Sequence, residues 1–150
     1  MMPRPLLCLL LTLGAVASLR AAPPVATGWD RITVPPMKTS IYVGSVTLTT
    51  EAFVRQGSTL ATTYVAKVFP WFFWGESGHI SITLTDSDLA RLARGETTEF
   101  TGEASNQKNK PRKVTGRAQP ADATSGKIKV RVSADGTELI FNGTYRFVKQ

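Results

Sequence analysis

The feature that most constrains the fold of this chain is a regular alternation of apolar and polar residues on both sides of one turn dipeptide. Asp135-Gly136 is typical of a two-residue type I′ turn, because both central positions of that turn need a positive φ. A turn there pairs Val130 with Phe141 and places the apolar side chains of both segments on one face. Polar residues take the other face, as in a half-buried antiparallel pair. The C-terminal segment therefore predicts a β-hairpin whose second strand continues through Gly143.

Asn142-Gly143 is a competing turn dipeptide in the same segment. A turn there would mix cations and aromatic side chains on both faces of the hairpin. A continuous strand instead keeps Tyr145 and Phe147 in phase with Phe141. We therefore prefer one long final strand, in which Gly143 marks a bulge or the close approach of another side chain.

Alternation recurs along the rest of the chain, in residues 29–34, 38–50, 59–68, 79–85, 97–103 and 113–119. In the second of these segments the phase changes, which predicts a bulge at Gly44-Ser45. One short helix is predicted over residues 87–94, where Asp86 or Ser87 can cap its start. These elements predict an all-β fold, an antiparallel sandwich or barrel of about seven to eight strands with one short helix.

Residues 1–17 have the layout of a secretory signal peptide. Arg4 supplies a positive charge, residues 6–16 form an apolar run of 11 residues, and Ala15 and Ala17 are the small residues that a signal peptidase recognises. The run is shorter than the roughly 20 residues that a membrane-spanning helix needs. We therefore expect cleavage after Ala17 and export, either to the periplasm or out of the cell.

The remainder of the chain is expected to form one domain, as a length of 150 residues indicates. Residues 18–28 are rich in Ala and Pro and predict a flexible N-terminal arm, and residues 29–150 predict a single β domain. Ala21 is the alternative cleavage site, and the arm would then start at residue 22. The one cysteine, Cys8, lies within the predicted signal peptide, so the mature chain is expected to form no disulfide.

Residues with catalytic or metal-binding chemistry are scarce. His79 is the one histidine, and the carboxylates near it in sequence are Glu76, Asp86 and Asp88. Glu76-x-x-His79 falls in a predicted turn, where its spacing fixes no geometry, and Asp86-x-Asp88 is accounted for by helix capping. One imidazole and no mature cysteine make a structural zinc site unexpected. We predict a non-catalytic protein that uses no metal or cofactor.

An aromatic tract occupies residues 69–74. In an extended chain, Trp71 and Phe73 point to one side and Phe72 and Trp74 to the other. One pair can fill the core, and the pattern does not decide whether the tract is core or surface. The other pair is either covered by a loop, the helix or the arm, or it forms an exposed site for a lipid, a glycan or a partner protein.

Positive charge is concentrated in the last third of the chain. The chain holds 18 Lys/Arg and 11 Asp/Glu, and residues 104–150 contain ten of the cations but three of the anions. A basic surface attracts anions, although edge-protecting cations on a solvated face are the alternative interpretation. Nucleic acid is not an expected partner, because no aromatic residues alternate with the basic ones. The candidate anion-binding residues are Lys108, Lys110, Arg112, Lys113, Arg117, Lys127, Lys129, Arg131 and Arg146.

Two functional hypotheses follow from these patterns. The leading one is an exported, non-catalytic β domain that binds an anionic polymer, such as a polysaccharide, or a membrane surface through the basic C-terminal face. The alternative is a carrier or partner-binding module that uses the aromatic tract, and a closed barrel with a lumen lined by Trp71 or Trp74 would favour it. An enzyme would need a cleft that gathers His79 with two carboxylates.

Overall fold

The computed structural model of the protein describes residues 31–148. The predicted signal peptide and N-terminal arm lie outside the described residues, as do residues 29–30 and 149–150. The described chain forms one α-helix, α1 (Asp86–Ala93), and one 3₁₀ turn (Phe72–Trp74). Its ten strands are β1 (Arg31–Thr33), β2 (Met37–Ile41), β3 (Gly44–Thr50), β4 (Phe53–Gln56), β5 (Thr59–Phe69), β6 (Glu76–Thr83), β7 (Thr98–Asn106), β8 (Pro111–Pro120), β9 (Ser125–Ala134) and β10 (Thr137–Val148).

Eight of these strands form a closed antiparallel barrel. The hydrogen-bonded order runs from β5 through β4, β1, β10, β9, β8, β7 and β6, and β6 pairs with β5 again. Eight strands enclose a space just wide enough for side chains or for one small ligand. The predicted all-β fold is confirmed. Of the two predicted architectures the chain adopts the barrel, to which β2 and β3 are added.

The β9–β10 hairpin has the predicted register. Val130 pairs with Phe141, and the turn residues Asp135 and Gly136 have φ values of 48° and 80°. Both values are positive, as a type I′ turn requires. The second strand runs without a turn through Gly143, so the continuous interpretation is confirmed.

The hairpin of β2 and β3 extends the wall above β1 and β4. β3 pairs with the second half of β5, and β2 pairs with β3. Within the described chain, no backbone hydrogen bond joins β2 to β10. Met37 lies against Gly143 instead, where a β-carbon would be 2.6 Å from the Met37 Cγ. This β2–β10 seam is therefore held by side chains, and it explains the glycine as a position of close approach.

The predicted bulge at Gly44-Ser45 is wrong. The chain reverses at Tyr42-Val43, and the two halves of the predicted strand pair with each other. A bulge and a tight turn both shift the phase of the alternation, so the pattern did not separate them. Gly44 has a φ of 142°, and a β-carbon there would collide with the carbonyl oxygen of Phe69.

Helix α1 begins with a capping box. The Thr85 hydroxyl accepts a hydrogen bond from the Asp88 N–H, and the Asp88 carboxylate accepts one from the Thr85 N–H. The cap is therefore Thr85, and neither Asp86 nor Ser87 has the predicted role. The predicted helix itself is confirmed, although it begins one residue earlier than expected.

Helix α1 closes one end of the barrel. Leu89 and Leu92 are buried, and Leu92 lines an apolar cavity of about 50 Å³ just inside this closed end. The turns that follow β2, β5, β7 and β9 all lie at the opposite end, which we call the open end.

Candidate functional site

Charged side chains lie inside the barrel at its open end. Arg112 on β8 is 6% exposed and is in phase with the buried Val114. Glu76 on β6 is in phase with the buried Ile80. Alternate residues of a strand share a face, so both charged groups point inward. Charges in such a position need partners.

The Arg112 guanidinium binds two carboxylates. Its Nε and Nη2 donate to the Glu76 carboxylate at 3.3 and 3.0 Å, and its Nη1 and Nη2 donate to the Asp135 carboxylate at 3.0 and 3.3 Å. The Tyr64 hydroxyl (2.9 Å) and the Asn106 amide (3.2 Å) also donate to Glu76. Paired, charge-assisted bonds of this kind are strong and fix orientation. We call these five residues the ion cluster.

The contacts keep both carboxylates of the ion cluster ionised at neutral pH. Burial would raise the pKa of Glu76, but the hydrogen bonds from Arg112, Asn106 and Tyr64 outweigh burial and lower it. The hydrogen bond from Arg112, and then its charge, lower the pKa of Asp135. Burial, and then the hydrogen bond to Glu76, raise the pKa of Tyr64, so the phenol remains a donor. With one cation and two anions, the ion cluster carries a net charge of about −1 at neutral pH.

Asn106 connects the ion cluster to the turn between β7 and β8. Its side-chain oxygen accepts hydrogen bonds from the backbone N–H groups of Lys108 and Lys110, both at 2.9 Å. Its amide nitrogen donates to Glu76. The turn is thereby held beside the cluster, with both lysine side chains exposed to solvent.

An apolar cavity of about 190 Å³ lies next to the ion cluster. Aliphatic and aromatic side chains such as Val68, Leu139 and Phe141 form its walls, and Arg112 and Glu76 border it. The exposed residues Trp74 and Asp135 also line it, so the cavity reaches the open end.

Three side chains separate this cavity from the smaller one at the closed end. Leu48, Ile80 and Val114 line both spaces. All three are buried in the middle of the barrel. The lumen is therefore divided into a small closed part and a larger part that opens past Trp74.

The aromatic tract is a turn and not an extended segment. Phe69 ends β5, and the chain then forms the 3₁₀ turn, with hydrogen bonds such as Trp74 N–H to the Trp71 carbonyl at 2.9 Å. Trp71, Phe72, Phe73 and Trp74 are all exposed. Neither pair therefore fills the core, because the strand alternation ends where the chain turns. Trp74 lines the cavity, as the carrier hypothesis required of a lumen.

The predicted anion-binding residues fall in three places. Arg112 is not on the surface, because it is in phase with Val114 on the inward face of β8. Lys108 and Lys110 lie at the open end, in the turn after β7. The remaining six lie on the outward faces of β8, β9 and β10 and form what we call the basic wall: Lys113, Arg117, Lys127, Lys129, Arg131 and Arg146.

The basic wall is partly neutralised. Arg117 pairs with Glu99 at 2.9 Å, and Arg131 pairs with Glu138 at 3.1 Å. Arg117 also lies directly opposite Lys129 in the β8–β9 register. Among the described residues, neither Lys127 nor Lys129 forms an ion pair. The wall therefore keeps a net positive charge.

His79 lies on the outward face of β6 and is exposed, and the predicted turn before it is part of the strand. The three carboxylates near it in sequence have other partners. Glu76 belongs to the ion cluster, Asp86 binds Arg55, and Asp88 caps α1. Over residues 31–148 there is no group of three or more His, Cys, Asp or Glu side chains that could hold a metal ion.

Sequence reasoning missed most of the ion cluster, although a signal for it was present. Arg112 precedes the predicted strand 113–119 by one residue and shares the phase of Val114, and on the predicted strand 59–68 Tyr64 shares the phase of Leu60. Polar residues in an inward phase predict a buried polar group. Nothing in the sequence indicated that Asp135, a turn residue, would reach the same guanidinium.

No helix among residues 31–148 has both the length and the apolar character needed to cross a bilayer. Comparison of the chain with protein-family models, with curated proteins and with solved structures gave no match. The functional inference therefore depends on the geometry of the open end.

Proposed function

We propose that this protein is a non-catalytic carrier that binds one small amphipathic molecule in the cavity at the open end of the barrel. The observation that carries the proposal is an apolar cavity that reaches solvent beside Trp74 and has the ion cluster at its edge. Apolar walls with a few convergent polar groups are typical of ligand sites. The carboxylates of the ion cluster have shifted pKa values, which is also common at such sites.

The cavity limits the size and chemistry of the ligand. At about 190 Å³ it is somewhat larger than the roughly 150 Å³ apolar cavity that holds one benzene molecule. It therefore suits a single ring or a short alkyl chain. The net negative charge of the ion cluster disfavours an anionic head group and favours a hydroxyl or amine, which can bond to Glu76 or Tyr64.

A titration with straight-chain alcohols tests this proposal. In a Trp29→Phe, Trp71→Phe background, Trp74 is the one remaining tryptophan and reports on the cavity. We expect a saturable fluorescence change whose affinity rises about fourfold per methylene, as burial of a CH₂ group predicts. The affinity should stop rising once the alkyl chain of the alcohol is longer than the cavity.

Two leucine substitutions on one strand provide the control. Ala66→Leu fills the cavity and should abolish alcohol binding, whereas Ala61→Leu lies on the exposed outer face of β5 and should not change it. Circular dichroism would verify that both variants are folded. A non-saturable response, or equal binding by both variants, would reject the carrier function.

The basic wall supports a second candidate function, the binding of an anionic polymer such as a polysaccharide. The β8–β9 register places Arg117 beside Lys129. Lys127 and Lys129, which form no ion pair within residues 31–148, add to this field. We expect the protein to bind heparin, with an affinity that falls steeply as salt rises from about 50 to 500 mM. Lys127→Glu with Lys129→Glu should weaken binding at least tenfold, and salt-independent binding would contradict the idea.

Export is a further part of the proposal, because a carrier of apolar molecules between membranes and water has a natural place outside the cytoplasm. Its support is the signal-peptide pattern of residues 1–17. N-terminal sequencing of the protein recovered from a secreting host should start at Ser18. A mature chain that retains residues 1–17 would contradict export by this route.

A further inference from the structure

The open end of the barrel exposes a compact group of large apolar side chains. Seven of them come from two turns, whereas the other exposed apolar residues are scattered over the strands. The two turns are neighbours, since Ser45 pairs with Phe69 and the Gly44 backbone lies against Phe69 and Pro70. We call this group the aromatic tip; it consists of Tyr42, Val43, Phe69, Trp71, Phe72, Phe73 and Trp74.

Four rings of the aromatic tip pack against one another. The ring centroids of Trp71 and Trp74 are 5.6 Å apart, those of Phe73 and Trp74 are 5.5 Å apart, and those of Phe72 and Phe73 are 5.9 Å apart. These are normal distances for aromatic pairs. The outermost rings remain open to solvent, with Phe72 84% and Phe73 64% exposed. The tip therefore presents large apolar rings to solvent at the open end of the barrel.

Three lysines lie on segments next to the aromatic tip. The Lys67 backbone lies next to Gly75, the residue that follows the 3₁₀ turn. Lys108 and Lys110 occupy the neighbouring turn, which Gln107 joins to the start of β6 by a 3.0 Å hydrogen bond to Ser77. All three lysine side chains are exposed.

Two carboxylates at the open end, Glu76 and Asp135, are both bound to Arg112 in the ion cluster. Over residues 31–148, Lys67, Lys108 and Lys110 form no ion pair. These lysines complement an anionic surface and would repel a second tip of the same chain.

We infer that the aromatic tip docks the protein on the surface of an anionic lipid bilayer. Trp, Tyr and Phe rings favour the interface between head groups and acyl chains, and lysines beside them reach the lipid phosphates. Exposed rings can enter a fluid interface, which adapts to their shape. Trp74 belongs both to the tip and to the cavity wall, so docking places the mouth of the cavity at the lipid. The docking does not depend on a ligand in the cavity.

Flotation of the full mature chain with vesicles tests the inference. Vesicles of phosphatidylcholine with about 30% phosphatidylglycerol should bind the protein, and the tryptophan emission should shift to shorter wavelength. Phe72→Ser with Phe73→Ser should weaken binding at least tenfold and leave the unfolding midpoint unchanged, because both rings are exposed. Lys108→Glu with Lys110→Glu should reduce binding to the anionic vesicles by a similar factor.

Matched substitutions elsewhere on the barrel are the control. Val65→Ser with Ile140→Ser removes two exposed apolar side chains from the outer faces of β5 and β10 and should leave vesicle binding unchanged. Ala66→Leu should also leave it unchanged, which separates docking from ligand binding. Full binding by the Phe72/Phe73 variant, or loss of binding through Lys127→Glu with Lys129→Glu alone, would overturn the inference. So would a tip-dependent dimer in lipid-free solution.

Discussion

Arg112 is the residue on which the polar part of the barrel interior depends. It is buried, and its guanidinium forms ion pairs with both Glu76 and Asp135. Replacing both members of a buried ion pair by apolar residues is often neutral, but removal of one member leaves an uncompensated charge. Removing Arg112 alone is therefore expected to destabilise the fold by more than its ion pairs stabilise it.

Arg112→Met should be strongly destabilising. We expect a loss of about 3 kcal/mol in the free energy of unfolding, measured by urea denaturation, because Glu76, whose side chain is 22% exposed, is left without its main partner. Adding Glu76→Leu should recover most of this loss. Arg117→Met on the same strand removes an exposed pair and should cost under about 1 kcal/mol. Equal costs for the two single variants would contradict a special role for Arg112.

The same contacts predict how stability depends on pH. The folded-state pKa of Glu76 and of Asp135 is lowered, so their stabilisation is complete above the ordinary values of 4.5 and 3.8 and is lost as pH falls through the lower folded values. In Arg112→Met, burial would raise the pKa of Glu76. Protonation of the Glu76 carboxylate would then remove the unpaired charge that destabilises the variant. The stability deficit of the variant should be largest near pH 7 and should narrow as the pH falls from the raised pKa of Glu76 in the variant, above 4.5, to the lowered pKa of Glu76 in the intact protein. Urea midpoints across this range measure it; a constant deficit would contradict it.

At the scale of elements, the β2–β10 seam should behave as a packed contact without backbone support. Gly143→Ala should cost about 1–3 kcal/mol by crowding Met37. Met37→Ala should cost about 2–5 kcal/mol by leaving a cavity. The double variant should cost at least about 1 kcal/mol less than the sum of the two single variants, because the new methyl group occupies the space that the methionine leaves. Additive costs in urea denaturation would show that the two residues are not in contact.

Local pattern predicted some elements well and others poorly, for physical reasons. The β9–β10 hairpin and α1 were predicted because the turn residues Asp135-Gly136 and the helix boundaries are specified within a few residues. The aromatic tract was treated as an extended segment, but β5 ends at Phe69 and the chain turns before β6 begins. Alternation alone does not indicate where a strand ends. Arg112 was grouped with its basic neighbours, although its phase with Val114 was the better guide to its position.

At the scale of the whole molecule, closure of the barrel could not be read from the sequence. It depends on the pairing of β1 with β10 and of β5 with both β4 and β6. The first of these joins strands more than a hundred residues apart, and alternation constrains the faces of a strand but not its neighbours. Closure also separates the surfaces, since the aromatic tip lies at one end of the barrel and the basic wall along its side.

Closure predicts a gradient of protection against hydrogen exchange. Amides of β7, β8 and β9 are paired on both sides within the ring and should exchange only on global unfolding. β2 pairs on one side only, so about half of its amides should exchange much faster. Mass spectrometry of peptides covering residues 37–41 and 125–134 measures the difference. Equal protection of the two would mean that β2 is bonded to β10.

The seam makes the two halves of the barrel unequal in stiffness. Around the helix-capped half, any widening has to break main-chain hydrogen bonds. In the other half, β2 and β10 share no backbone pairing among the described residues, so widening there displaces side-chain contacts such as that of Met37, an unbranched and adaptable side chain. The aperture of the lumen can consequently dilate along one side, and a guest longer than the resting cavity gains room there first.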